Sequence, residues 1–218
     1  MEGSVKPLIG SSSDHVWVRD LNIMRVRKVG VWSPESGGTD DISRLLPFCQ
    51  EKHPFRNALV TYLGFKFRPI GLFFRDMDTK DFRTFVTVKK FKFYVCQNFD
   101  DRYTEFRYGE PIALLEGVAD AEAFSYLTGY PWVIAYLRSW IGPHLAAFLA
   151  SLTNQVLVIP DNDPAGQSGY PKIHKNLTAF GMKVDRMDTT PKDFREVFDN
   201  GYVKDVNEAI IYLNTRRR

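Results

Sequence analysis

From Pro111 onward the chain repeats one device, a short apolar run, a turn, a helix-like segment and another apolar run. "IALLE" leads into "GVADAEAFSYLTG", "YPWVIAYL" into "PHLAAFLASL", "QVLVIP" into "YPKIHKNLTAFG", and "MKVDRM" closes the series. The apolar runs have strand length, and Gly129 and Gly181 stand where helices are expected to stop. Strand and helix therefore alternate over about ninety residues, the order expected of a parallel sheet with helices on its faces.

The chain before this point has a different texture. From Met1 to about Asp41, the Gly and Ser clusters "GSSSD" and "SPESGGTDD" bracket an alternating run, "VWVRDLNIMRVRKVGVW", that reads as a strand pair. Residues 42–63 read as short helices limited by Pro47 and Pro54. Gly64 to Tyr108 is rich in aromatic and β-branched residues, and "TFVTVKKFKFYV" alternates as a strand does. The expected division is a smaller basic, strand-rich α+β subdomain over residues 1–110, an α/β domain over 111–201, and a basic tail over 202–218 ending in "TRRR".

With 218 residues, the chain is long enough for a substantial core. No stretch approaches the ~20 apolar residues of a membrane span, and the polar start lacks the layout of a secretory signal, so a cytoplasmic protein is expected. Cys49 and Cys96 stand alone, and His15, His53, His144 and His174 show no ligand spacing. Neither a disulfide framework nor a zinc module follows. A net charge of +3 does not establish a nucleic-acid partner. Its distribution says more, because Tyr62 to Val95 holds Lys66, Arg68, Arg75, Lys80, Arg83, Lys89, Lys90 and Lys92 against three Asp. Phe65, Phe67, Phe73, Phe74, Phe82, Phe85, Phe91 and Phe93 lie among them. Such a segment can hold phosphates and offer rings for bases to stack on, or it can be a half-buried sheet with Phe inward and cations solvated.

Acids close the apolar runs. Glu116 ends "IALLE", Asp161 and Asp163 follow "VLVIP", and Asp193 lies in "TTPKDF". In α/β sheets, ligands bind beyond the carboxyl ends of the strands, so these side chains converge if the strands are neighbours. Carboxylates gathered there repel one another unless cations lie between them, and hard divalent ions such as Mg²⁺ suit that donor set. Asp in a turn is also common for its local hydrogen bonds alone.

"LLEGVADAEAF" with "VLVIPDNDPAGQSG" resembles the Toprim domain shared by bacterial-type DNA primases, topoisomerases and some small nucleases. The EGxxDxxA and DxDxAG forms are closer to the primase branch, and "PKDF" with Arg195 and Glu196 is similar to the KDxND element of phage primase-helicases, with Glu196 where an Asp is usual. The resemblance covers residues 111–201 and implies a Rossmann-like parallel sheet with helices on both faces. It further implies metal ligation by Glu116, Asp161, Asp163 and Asp193 with Mg²⁺ or Mn²⁺, and supporting roles for Gly117, Asp120 and Gly166. Glu116 would be metal ligand or general base.

The activity implied is that of a phage-like primase core, without zinc-binding or helicase domains, making short RNA primers on single-stranded DNA from nucleoside triphosphates. A replicative helicase or another replication protein is the expected partner. Lys66, Arg68, Lys89, Lys90 and Lys92 are the phosphate-binding candidates, on charge alone. A Toprim nuclease acting on DNA or RNA and a non-catalytic nucleic-acid-binding adaptor are the alternatives.

Overall fold

The computed structural model describes residues 31–32, 58–65, 67–76, 82–86 and 91–216, and its contacts divide the chain into two units, Met1–Thr87 and Val88–Arg218. The strand pair expected before Val31 lies outside the described residues, as do Lys66, Lys80, Lys89 and Lys90.

In the first unit, β1 (Val31–Trp32), β2 (Ala58–Phe65), β3 (Arg68–Asp76) and β4 (Phe82–Val86) pair antiparallel in that order. Residues 58–63, expected to be helical, are strand. "ALVTYLGF" is rich in β-branched and aromatic residues, and a partner strand one turn away rewards that composition more than a helix too short to bury a face. The register slips between Leu63 and Gly64, where Gly64 takes φ 80°. That left-handed bulge suits glycine and leads the chain into the turn.

In the second unit the chain runs β5 (Tyr94–Val95), α1 (Gln97–Asp101), a 3₁₀ turn, β6 (Ile112–Leu115), α2 (Val118–Thr128), β7 (Val133–Ala135), α3 (Pro143–Leu152), β8 (Gln155–Ile159), α4 (Pro164–Thr178), β9 (Lys183–Arg186), α5 (Phe194–Asn200) and α6 (Val203–Arg216). The spatial strand order is β5-β7-β6-β8-β9. β7, β6, β8 and β9 are parallel, and β5 joins β7 antiparallel. Every residue of β6 and β7 is buried, as strands covered on both faces require. Helix α3 packs on α4, whereas α2 packs on α5 and α6, so the sheet is covered on both faces, as expected of an α/β fold.

Two boundaries differ from the sequence reading. The change of texture at Pro111 marks the first parallel strand, but the contact unit begins at Val88. The wholly buried carboxylate of Glu122 in α2 accepts hydrogen bonds from Tyr94 Oη (2.5 Å) and from the Gln97 N–H (2.9 Å), which ties β5 and α1 to α2. The expected tail is mostly helix, because Asp205, Ala209 and Leu213 recur every four residues and are buried as one stripe.

Candidate functional site

Chain order and strand order together create a crevice. β6 leaves through α2 toward β7 on one side, and β8 leaves through α4 toward β9 on the other. Their carboxyl ends lie side by side, with Leu115 paired to Ile159, and the loops part between them. This is the switch point where open α/β sheets bind ligands. Glu116 stands at one lip, and Asp161 and Asp163 at the other.

The "DNDPAG" segment is shaped by the start of α4. Asp163 is its N-cap, and Oδ1 accepts the Gly166 N–H at 2.9 Å, with Pro164 at the first helical position. Gly166 was expected for a sharp turn, and its requirement is closer still. A Cβ there would stand 2.3 Å from the Asp161 carbonyl oxygen. Asn162 turns to the loop after β9, where its side-chain amide donates to the Thr190 carbonyl at 3.2 Å.

That loop carries "PKDF". Asp193 is the N-cap of α5, its Oδ1 accepting the Glu196 N–H at 2.8 Å, while Glu196 Oε2 accepts the Lys192 N–H at 2.9 Å. Glu196, standing where the phage element has Asp, therefore serves as the return half of a capping arrangement. Arg195 Nη2 lies 3.5 Å from Asp193 Oδ2. Across the helix pair, Asp120 Oδ1 accepts the Arg195 N–H at 3.0 Å, joining the first turns of α2 and α5. A Cβ on Gly117 would come within 2.1 Å of Asp120 Oδ2, which gives the EGxxD spacing a steric reason.

The carboxyls at these strand ends act on one another electrostatically. Burial, followed by the negative charges of Asp120, Glu116, Asp193 and Asp163, pushes the Asp161 carboxyl up to about 8. Asp120 is raised to about 6 by burial and by Asp193, against the pull of the Arg195 N–H. Glu116 is raised by burial and by Asp163, with Lys192 opposing. Asp163 is lowered instead, first by the Gly166 N–H and then by Lys192, whose Nζ lies 3.5 Å from Oδ2. The five acids thus feel one another, and Lys192 is the countercharge at the outer end. Among the described residues, no three His, Cys, Asp or Glu side chains form a ready-made group that could hold a metal ion.

Lys192 and Tyr136 were not singled out in the sequence. Lys192 was visible as the first letter of the KD pair. Tyr136, at the end of "VIAY", reads as a core aromatic and is only 1% exposed. Its hydroxyl has no hydrogen-bond partner, and burial with the charges of Glu116, Asp161 and Asp120 strongly raises its pKa.

The basic segment divides differently. Arg68 opens β3 in the first unit and is exposed, and Lys92 is half-buried just before β5. Among the described side chains of this segment, the rings of Phe65, Phe73, Phe74 and Phe93 are buried. Phe67 is 61% exposed, with its ring 5.2 Å from that of Phe65. For the buried rings the half-buried-sheet reading holds, not base stacking.

No family model matches the sequence, and no curated protein matches it either. Solved structures do. The E. coli primase catalytic core is similar with a TM-score of 0.66 at 16% identity, over 95% of this chain and 74% of that one. The catalytic domain of the DnaG primase bound to single-stranded DNA matches with 0.61 at 15% identity, over 96% and 76%. The zinc-binding and RNA polymerase domains of Aquifex aeolicus primase match with 0.61 at 18% identity, and this chain, matched over 90% of its length, spans 55% of that one. At these identities the likeness is one of fold. The chain has the fold of a primase catalytic core.

Proposed function

We propose that the chain is a Toprim nucleotidyltransferase of the DNA primase type, making short RNA primers on single-stranded DNA. The observation that carries this reading is the convergence of Glu116, Asp161 and Asp163 on the crevice between β6 and β8, in a chain with a primase-core fold. The donor set suits Mg²⁺ or Mn²⁺ in kind, because every candidate ligand is a hard oxygen, and Asp161, pushed up to about 8 by burial and then by the neighbouring carboxylates, would give up its proton to an entering cation. Bound there, such ions would neutralise charge on a departing pyrophosphate and lower the barrier to attack by a 3′-hydroxyl.

The chain's own groups would do the rest. Glu116, raised above the ordinary carboxylate range, is suited to take a proton from that hydroxyl. Asp161 is fixed by the strand behind it. Asp163 has Oδ2 to offer while Oδ1 caps α4, and Lys192 would have to turn from Asp163 toward the substrate's phosphates as an ion entered. Asp193 is the weakest ligand candidate, since Oδ1 caps α5 and Oδ2 faces Arg195.

Labelled single strands incubated with Mg²⁺ or Mn²⁺, with and without nucleotides, test the reading against Asp161→Asn as control. Nucleotide-dependent lengthening, lost in the variant, is expected. Shortening would mean the nuclease alternative, and neither change together with absent Mn²⁺ binding would mean an adaptor.

A further inference from the structure

The segment leaving β7, Leu137–Gly142, is pinned along its length yet turns its middle side chains to solvent. Leu137 holds a left-handed backbone (φ 59°), rare for a side chain of this size, and donates its N–H to the Glu116 carbonyl at 2.9 Å. Ser139 lies so close to α4 that a Cβ on Gly169 would stand 1.8 Å from its carbonyl oxygen. Asn176 Nδ2 donates to the Ile141 carbonyl at 2.7 Å, and Ile141 is buried. Between these anchors Arg138, Ser139 and Trp140 are exposed.

Trp140 is 37% exposed, and its ring edge lies where a Cβ on Gly142 would meet it at 3.5 Å. An indole that is partly covered and carried on an anchored backbone loses little freedom on stacking its open part against a ligand. Lys92 arrives from the neighbouring strand. β5 pairs antiparallel with β7, Tyr94 opposite Ala135, and the register continued outward brings Lys92 beside Leu137. Phe91 and Phe93 fix it there by closing on Phe148 of α3, with ring centroids at 5.3 and 4.8 Å. Burial and then the charge of Arg138 lower the Lys92 pKa, as two cations held near each other should.

We propose that this loop and Lys92 form a nucleotide-binding subsite, in which Arg138 and Lys92 hold a phosphate and Trp140 stacks on the base attached to it. The inference rests on the nucleotide-handling reading above and adds a place for the nucleotide, one strand removed from the acids. The phosphate belongs to a strand backbone or to a free triphosphate, and the two share this chemistry. An arginine on a pinned loop, a second cation and an exposed ring are the elements by which single-stranded nucleic acids are held without base readout.

The test is equilibrium binding by the full chain, with oligothymidylate in EDTA as one probe and ATP with Ca²⁺ as the other. Trp140→Ala should weaken binding about tenfold while Trp140→Phe stays within about threefold. Arg138→Ala should weaken strand binding and lower its salt slope by about 0.7. Both side chains are exposed, so thermal melting of each variant, measured alongside, should stay within a few degrees of the wild type. Loss for one probe alone assigns the subsite to that source of phosphate. Unchanged affinity for both probes in Trp140→Ala and Arg138→Ala, or a wild-type chain that binds neither, overturns the proposal. No arm needs turnover, so binding through this loop without primer synthesis would sink the primase reading alone. Primer synthesis by a chain whose loop variants bind normally would sink this one.

Discussion

The two oxygens of Asp163 carry different loads, one capping α4 and the other facing Lys192. Asp163→Asn separates them, because Asn caps a helix about as well as Asp while offering a hard cation no charge. Nucleotide transfer should be lost with the melting temperature nearly unchanged, and full synthesis by the variant would make Asp163 a turn residue. Asp161 makes the opposite case. Its folded carboxyl titrates at about 8 against an ordinary 3.8, so the folded chain keeps a proton that the unfolded chain releases. Stability from this group is therefore complete below the ordinary value and is lost as pH rises to about 8, and Asp120, at about 6, adds in the same direction. In EDTA, the melting temperature should fall between pH 5 and pH 8.5, Asp161→Asn should flatten that fall, and Mn²⁺ at pH 8 should restore stability to the wild type. The acids were legible as residue types at strand ends. Their division into caps and buried carboxylates was not, because it depends on which N–H groups the next helix presents.

Helix α4 shows how far the elements could be read. Its periodic part was plain from Tyr170, but the structure starts it at Pro164, where the capping by Asp163 decides the boundary and apolar period says nothing. β6 and β8 were legible because strands buried on both faces must be continuously apolar. β2 was misread for the complementary reason. Beside prolines, a run such as "ALVTYLGF" fits a short helix until its partner strand is known, and that partner follows it in sequence. Close backbone approach was invisible altogether, since a glycine in sequence does not say what it touches. Gly166→Ala tests that reading. The new methyl would meet the Asp161 backbone carbonyl oxygen at 2.3 Å, with no flexible side chain there to give way, so α4 must shift. Overpacking of this kind costs about 1–3 kcal/mol. The melting temperature should drop by several degrees and Mn²⁺ affinity with it, because Asp161 moves, and an unaltered variant would show that the first turn of α4 is free to adjust.

On the scale of the whole molecule, the order of strands and helices after Pro111 was enough to anticipate a parallel sheet, and the placement of its acids then followed from the rule of strand ends. What the order could not supply was the extent of the folding unit, since the alternation before Pro111 does not say that β5 pairs with β7 or that the buried carboxylate of Glu122 ties β5 and α1 to α2. All five interacting acids, Lys192 and the loop after β7 belong to Val88–Arg218. If the ion site is built by that unit, a fragment beginning at Val88 should melt cooperatively, and Mn²⁺ should raise its melting temperature as it does that of the full chain. Binding at one hundred times the dissociation constant stabilises by about 2.7 kcal/mol, roughly ten degrees for a unit of this size. The same rise should vanish in the fragment carrying Asp161→Asn. A fragment that folds but shows no rise, beside a full chain that does, would move part of the ion site into residues before Val88. The five acids would then be a cluster stabilised by its own retained protons.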